Sequence, residues 1–160
     1  MNLALFLTGI ILTVVPLLEL RGGLPLVILS LKDSSQLWII AAFVLVVLIN
    51  IGLIFLIFLF LDTLHHKLLG WKFYNKKFEK YLIKIQKKSH KIAKKEGIWI
   101  WISLFFFVAI PLPMTGAYTG TVLAWFLDLD KKKSIAAIAL GVLTAGIIIF
   151  LATTGIISAF

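Results

Sequence analysis

Glu19-Leu20-Arg21-Gly22-Gly23-Leu24-Pro25 breaks an otherwise apolar opening segment with an acid, the chain's single arginine, two glycines and a proline. Before it, Leu3 to Leu18 is an apolar run of 16 residues, about 24 Å as a helix and short of the roughly 30 Å hydrocarbon core of a bilayer. After it, Leu24 to Leu31 adds eight positions before the polar Lys32-Asp33-Ser34-Ser35-Gln36. Two readings follow: one broken spanning helix, or a long and a short arm forming a re-entrant hairpin over 3–31. Backbone freed at Gly22, Gly23 and Pro25 is tolerable at membrane depth only under cover of protein or a water-filled cavity. A charge near the centre of a membrane helix costs roughly 2.5–3.5 kcal/mol, so Glu19 and Arg21 are either functional or an internal pair.

Working outward, Leu37 to Leu61 is 25 positions without a charge and reads as a transmembrane span containing Asn50. Residues 67–95 carry eleven Lys against Glu79, a net +10, while the rest of the chain sums to −1. Within 67–97, Trp71, Tyr74, Phe78, Tyr81, Leu82 and Ile85 recur at helical spacing among the lysines. That is the pattern of a basic amphipathic helix lying on a membrane surface. A net positive charge concentrated in one connector points to anionic lipid head groups on the cytoplasmic side rather than to nucleic acid.

Ile98 to Ile110 is a second short apolar run, broken at Pro111-Leu112-Pro113-Met114-Thr115-Gly116-Ala117-Tyr118-Thr119-Gly120. A short arm to Leu127, a charged corner, and a final span over 134–160 complete the chain. Gly141, Thr144, Ala145 and Gly146 in that span permit close helix packing. The two halves share one plan: broken hairpin (3–31 and 98–129), polar corner, long span (37–61 and 134–160). Gly/Pro-interrupted segments at matching positions are the pointer to an internally repeated transporter and its midplane site. With the connector cytoplasmic, Lys131, Lys132 and Lys133 return to the cytoplasm only if 98–129 is re-entrant, and the halves are then inverted.

The composition, 61% hydrophobic with no cysteine and a mean hydropathy of +1.08, describes one integral membrane domain over 1–160. It excludes disulfides and thiolate metal sites, and no phosphate-binding loop, nucleophile elbow or metal-ligand set occurs. No cofactor is implied and an enzyme has no support. The residues expected to bind or couple substrate are Glu19, Arg21, Gly22, Gly23 and Pro25, facing Pro111, Pro113, Thr115, Gly116 and Tyr118. Arg21 with the glycine amides suits an anionic head group, and Glu19 suits proton exchange.

Together the stretches 19–25 and 109–120 resemble the paired signatures of the small multidrug export family, a distant relative of the DedA and VTT membrane proteins. The resemblance covers nearly the whole chain. It implies an all-α inverted-repeat fold with two re-entrant hairpins meeting in the membrane. DedA-type relatives are associated with flipping lipid phosphates and VTT relatives with lipid scrambling. DedA proteins also carry arginines in the second hairpin, where this chain has none, and position 114 is Met where the closer family leads one to expect Gly. The resulting expectation is a flippase or transporter in the cytoplasmic membrane for an amphiphilic substrate, foremost a lipid-linked phosphate, with proton coupling through Glu19. Two alternatives stand beside it: an exporter of small cationic drugs, and a non-transporting protein that shapes the bilayer. So short a chain with loops to cover is also compatible with a homodimer.

Overall fold

The computed structural model describes residues 2–68, 97–112 and 114–159. Most of the basic connector, from 69 to 96, and Pro113 lie outside the described residues. Those described form six helices: α1 (Leu3–Val14), α2 (Glu19–Ser30), α3 (Gln36–Leu68), α4 (Trp99–Ala109), α5 (Ala117–Phe126) and α6 (Lys131–Ala159). Four are short, at 10 to 12 residues, or about 15–18 Å. Two are long, at 33 and 29 residues, about 50 and 44 Å, and apolar enough to cross a membrane.

The short helices end for a local reason. Val15 and Ile110 each precede a proline and adopt extended backbone, ψ 126° and 119°, because the proline ring disfavours the helical region for the residue before it. The first break therefore falls at Val15–Leu18, upstream of where the glycines suggest it. Gly22, Gly23 and Pro25 instead lie within α2. Proline in a helix interior costs about 3 kcal/mol, and two glycines add to that. Packing overrides this local preference: Leu20, Leu24, Val27 and Ile28 of α2 are all buried, against α1, α3 and α6. An apolar surround also penalises any backbone group left without an internal partner. Gly23 has a packing role, since a β-carbon there would collide with the Thr13 hydroxyl and the Gly9 carbonyl of α1.

Chain ends of the elements meet in pairs. The Asn2 amide donates to the Ser30 carbonyl at 3.1 Å, closing α1 and α2 into an antiparallel hairpin. At the far end of α3, Asp62 accepts from Lys131 Nζ at 2.5 Å and from Trp125 Nε1 at 3.0 Å, so α3 ends where α6 begins. Lys131 also lies 5.3 Å from the centre of the Phe58 ring. With Asp130 Oδ1 accepting from the Lys133 amide at 2.9 Å, these contacts let α6 start at Lys131, three residues before the expected span.

The buried core joins α2, the middle of α3, Leu104 and Val108 of α4, Ala117 and Ala124 of α5, and Ile138 and Val142 of α6. The outer faces are apolar as well. Leu37, Trp38, Leu48, Leu59 and Phe60 on α3 and Leu140, Leu151 and Ile156 on α6 are all exposed. A continuous apolar exterior of this kind is unfavourable in water and is matched by hydrocarbon.

Candidate functional site

The two breaks meet, and each supplies what the other's backbone lacks. Gly116 is the N-cap residue of α5 and has no side chain with which to cap it. Glu19 does so from the other half of the chain: Ala117 N–H donates to its Oε2 at 2.8 Å and Tyr118 N–H to its Oε1 at 3.0 Å. The first amides of a helix have no intrahelical acceptor and carry partial positive charge, so a carboxylate there is doubly matched. Gly116 leaves it room, because a β-carbon at that position would fall inside the Glu19 carboxylate. Glu19 is 5% exposed and has φ 47°, a left-handed conformation that costs a non-glycine residue of order 1–3 kcal/mol.

Arg21 addresses the other end of the second break. Its Nη2 donates to Thr115 Oγ1 at 2.8 Å and to the Ile110 carbonyl at 3.3 Å, and its Nη1 donates to the Leu112 carbonyl. Ile110 is the C-cap of α4, where unpaired carbonyls carry partial negative charge. Thr115 Oγ1 also reaches the Ile110 and Leu112 carbonyls, at 3.0 and 2.9 Å. In the reverse direction, the Tyr118 hydroxyl donates to the carbonyl of Val14, the last residue of α1, at 2.7 Å. Hydrogen bonds to charged groups are worth about 1.5–3 kcal/mol each, which makes this the strongest polar junction among the described residues.

Of the residues expected from sequence, Glu19, Arg21, Thr115, Gly116 and Tyr118 come together here. Gly22 and Gly23 do not present free amides: the Gly22 N–H donates to the Leu18 carbonyl at 3.0 Å, and Gly23 is buried inside α2. The backbone expected to be freed at Gly22, Gly23 and Pro25 is helical instead. Pro25 lies within α2 and Pro111 serves to end α4, while Thr119 is half-buried on α5. Glu19 and Arg21 direct their hydrogen bonds to the second break rather than to each other. Sequence reading missed the main-chain acceptors at Ile110, Leu112 and Val14 and the Asp62–Trp125–Lys131 cluster. Main-chain groups carry no sequence signal beyond the X-Pro steps that free them.

Of two cavities among the described residues, one touches the site. A pocket of about 10 Å³ lies against it, lined by Glu19, Leu20, Arg21, Asn50, Val108, Gly116, Val142 and Ala145. A much larger groove, about 1190 Å³, runs between α4 and α6 past Trp101, Phe105 and Leu129 and contains none of the residues expected from sequence. The groove has volume, but the polar chemistry is at the junction.

Two long apolar helices and a polar junction of two broken segments define an α-helical membrane protein. Residues 19–148 match the model of the family described as "Putative small multi-drug export protein", and the chain belongs to that family. The match begins at Glu19, the first residue of α2, and contains the second break. No curated protein and no solved structure matches the chain.

Proposed function

We propose that the protein is an exporter of small amphiphilic cations, in which Glu19 is the counter-charge for the substrate and the Glu19/Arg21 junction is the gate. The observation that carries this reading is the Glu19 carboxylate, nearly buried among apolar helices and held by only two main-chain amides. Withdrawing α5 by a few ångströms frees an anionic site in a low-dielectric setting, where attraction for a cation is strong. Arg21 stays on the α4 end and keeps the opened junction close to neutral. The family description supports export of small molecules. A lipid-linked phosphate is the weaker fit, because its expected ligands are engaged: Arg21 by Leu112, Ile110 and Thr115, and the Gly22 amide by Leu18.

In this reading the chain is an inverted repeat, with α1–α2 and α4–α5 as re-entrant hairpins entering from opposite faces of the cytoplasmic membrane. The length of the arms supports it, since none reaches 30 Å. So does the meeting of Asp62 with Lys131, which returns the chain after α5 to the side where α3 ends. The basic connector lies on the cytoplasmic side.

Reconstituted in liposomes under an imposed proton gradient, the protein is expected to accumulate a fluorescent lipophilic cation. Glu19→Gln should slow this by about tenfold or more, the loss of one charge-assisted contact of about 1.4 kcal/mol. Equal accumulation by Glu19→Gln overturns the reading. Translocation of a lipid phosphate that requires Arg21, with no cation flux, selects the phosphate substrate instead.

A further inference from the structure

Asn50 lies in the middle of α3 and is 0% exposed. Its Nδ2 donates to the Val46 carbonyl at 3.0 Å, while no group among the described residues donates to its Oδ1. A buried amide oxygen without a donor costs about 1–3 kcal/mol, so its setting calls for one. Asn50 lines the small cavity together with Glu19 and Arg21. The neighbouring polar groups are acceptors: the Glu19 carboxylate has lone pairs beyond those used by the two amides, and Pro25 supplies no N–H to the Arg21 carbonyl one turn earlier. The strong donor nearby, the Arg21 guanidinium, directs three of its five N–H groups to Leu112, Ile110 and Thr115 and none to Asn50.

The occupant must therefore be a donor, and the space limits its size. A cavity of about 10 Å³ accommodates a single water, which needs roughly 10–15 Å³ by this measure and two or more polar partners. Charge balance favours a neutral molecule over a cation, because Glu19 already faces Arg21 and the positive end of α5.

We propose that this cavity binds one water molecule that donates to Asn50 Oδ1 and to the Glu19 carboxylate, linking α3 to the junction of the two breaks. Asn50 is then a positioning residue for Glu19. The water is also the carboxylate's partner for proton exchange: a proton carried on it as hydronium passes to a Glu19 oxygen, leaving neutral water and a neutral carboxyl group. This last role rests on the proposed function of Glu19, whereas the water site does not.

The test uses the full chain in lipid nanodiscs and does not read transport, so the export reading and this one can fail separately. A high-resolution map of the wild-type protein should show one peak at hydrogen-bond distance from both Asn50 Oδ1 and a Glu19 oxygen. The Glu19 carboxylate infrared band, isolated as a difference against Glu19→Gln, should shift on transfer to D₂O in two steps, fast for the water and slow for the Ala117 and Tyr118 amides. Asn50→Leu removes the acceptor, and Ala145→Val fills the cavity without touching a polar group. Each should abolish the fast step and keep the slow one. An empty wild-type cavity, a fast step that survives in whichever variant folds, or a peak with metal-like contacts together with thermal stability that depends on sodium, overturns the proposal.

Discussion

The first hairpin carries two charged residues at the start of α2 and its arms are closed on each other; the second is uncharged at its break and its arms are splayed. α1 and α2 pack along their length across Gly9 and Gly23, whereas α4 makes its main contact with α6 and α5 makes its own with α3. The same X-Pro device ends α1 and α4, yet both charged groups that satisfy the second break come from the start of α2, while Tyr118 returns one bond to Val14 at the first. The carboxylate and guanidinium sit at opposite helix ends of the second break, each matched to the partial charge it meets. Two loops can thus share a plan in sequence and still have complementary rather than equivalent roles. The second break depends on the first for its capping.

That dependence can be broken in graded steps. Gly116→Ala should have the largest effect, because the added carbon displaces Glu19 and leaves the α5 amides without acceptors. Overpacking and lost hydrogen bonds together suggest a loss of about 3 kcal/mol, read as a fall in thermal midpoint in nanodiscs. A midpoint within a degree of wild type would show that Glu19 does not cap α5. Arg21→Lys should cost about 2 kcal/mol, since an ammonium keeps the charge but loses the planar fork that spans Thr115 and the Ile110 and Leu112 carbonyls. Unchanged stability there would reduce Arg21 to a point charge. Tyr118→Phe removes only the bond to Val14, an expected loss of about 1 kcal/mol in the same melt; no loss would mean that the return tie is dispensable.

The smallest change should go the other way. Met114 has φ 67° and is 65% exposed, so Met114→Gly relieves a left-handed conformation without emptying the core. A gain of about 0.5–1 kcal/mol is expected, and destabilisation would mean that the side chain is held by something other than strain. This is the position where the sequence resemblance leads one to expect glycine, and the positive φ supplies a reason.

Much of the organisation was legible in the residues. Uncharged length marked α3 and α6, the Ile110-Pro111 step marked the end of α4, and a lone acid and a lone arginine in apolar surroundings marked the junction. The misplaced first break has a physical origin. Gly22, Gly23 and Pro25 are poor helix residues locally, and Pro16 is an isolated signal in a long apolar run. Burial of Leu20, Leu24, Val27 and Ile28 outweighs the former, while the proline at 16 breaks the chain before helix packing can help. Asn50 was visible only as a polar residue in a span; its unmatched oxygen and the cavity beside it exist only once α2, α3 and α6 are assembled.

By itself, then, the sequence determined the apolar class, the two long spans and the identity of the charged pair, because these follow from local composition and from the cost of charge in hydrocarbon. Only the tertiary structure decided what those charges face. Apart from the Thr115 hydroxyl, the acceptors and donors they meet are main-chain groups about 90 to 100 residues away, alike in every residue type and distinguished only by where the helices stop.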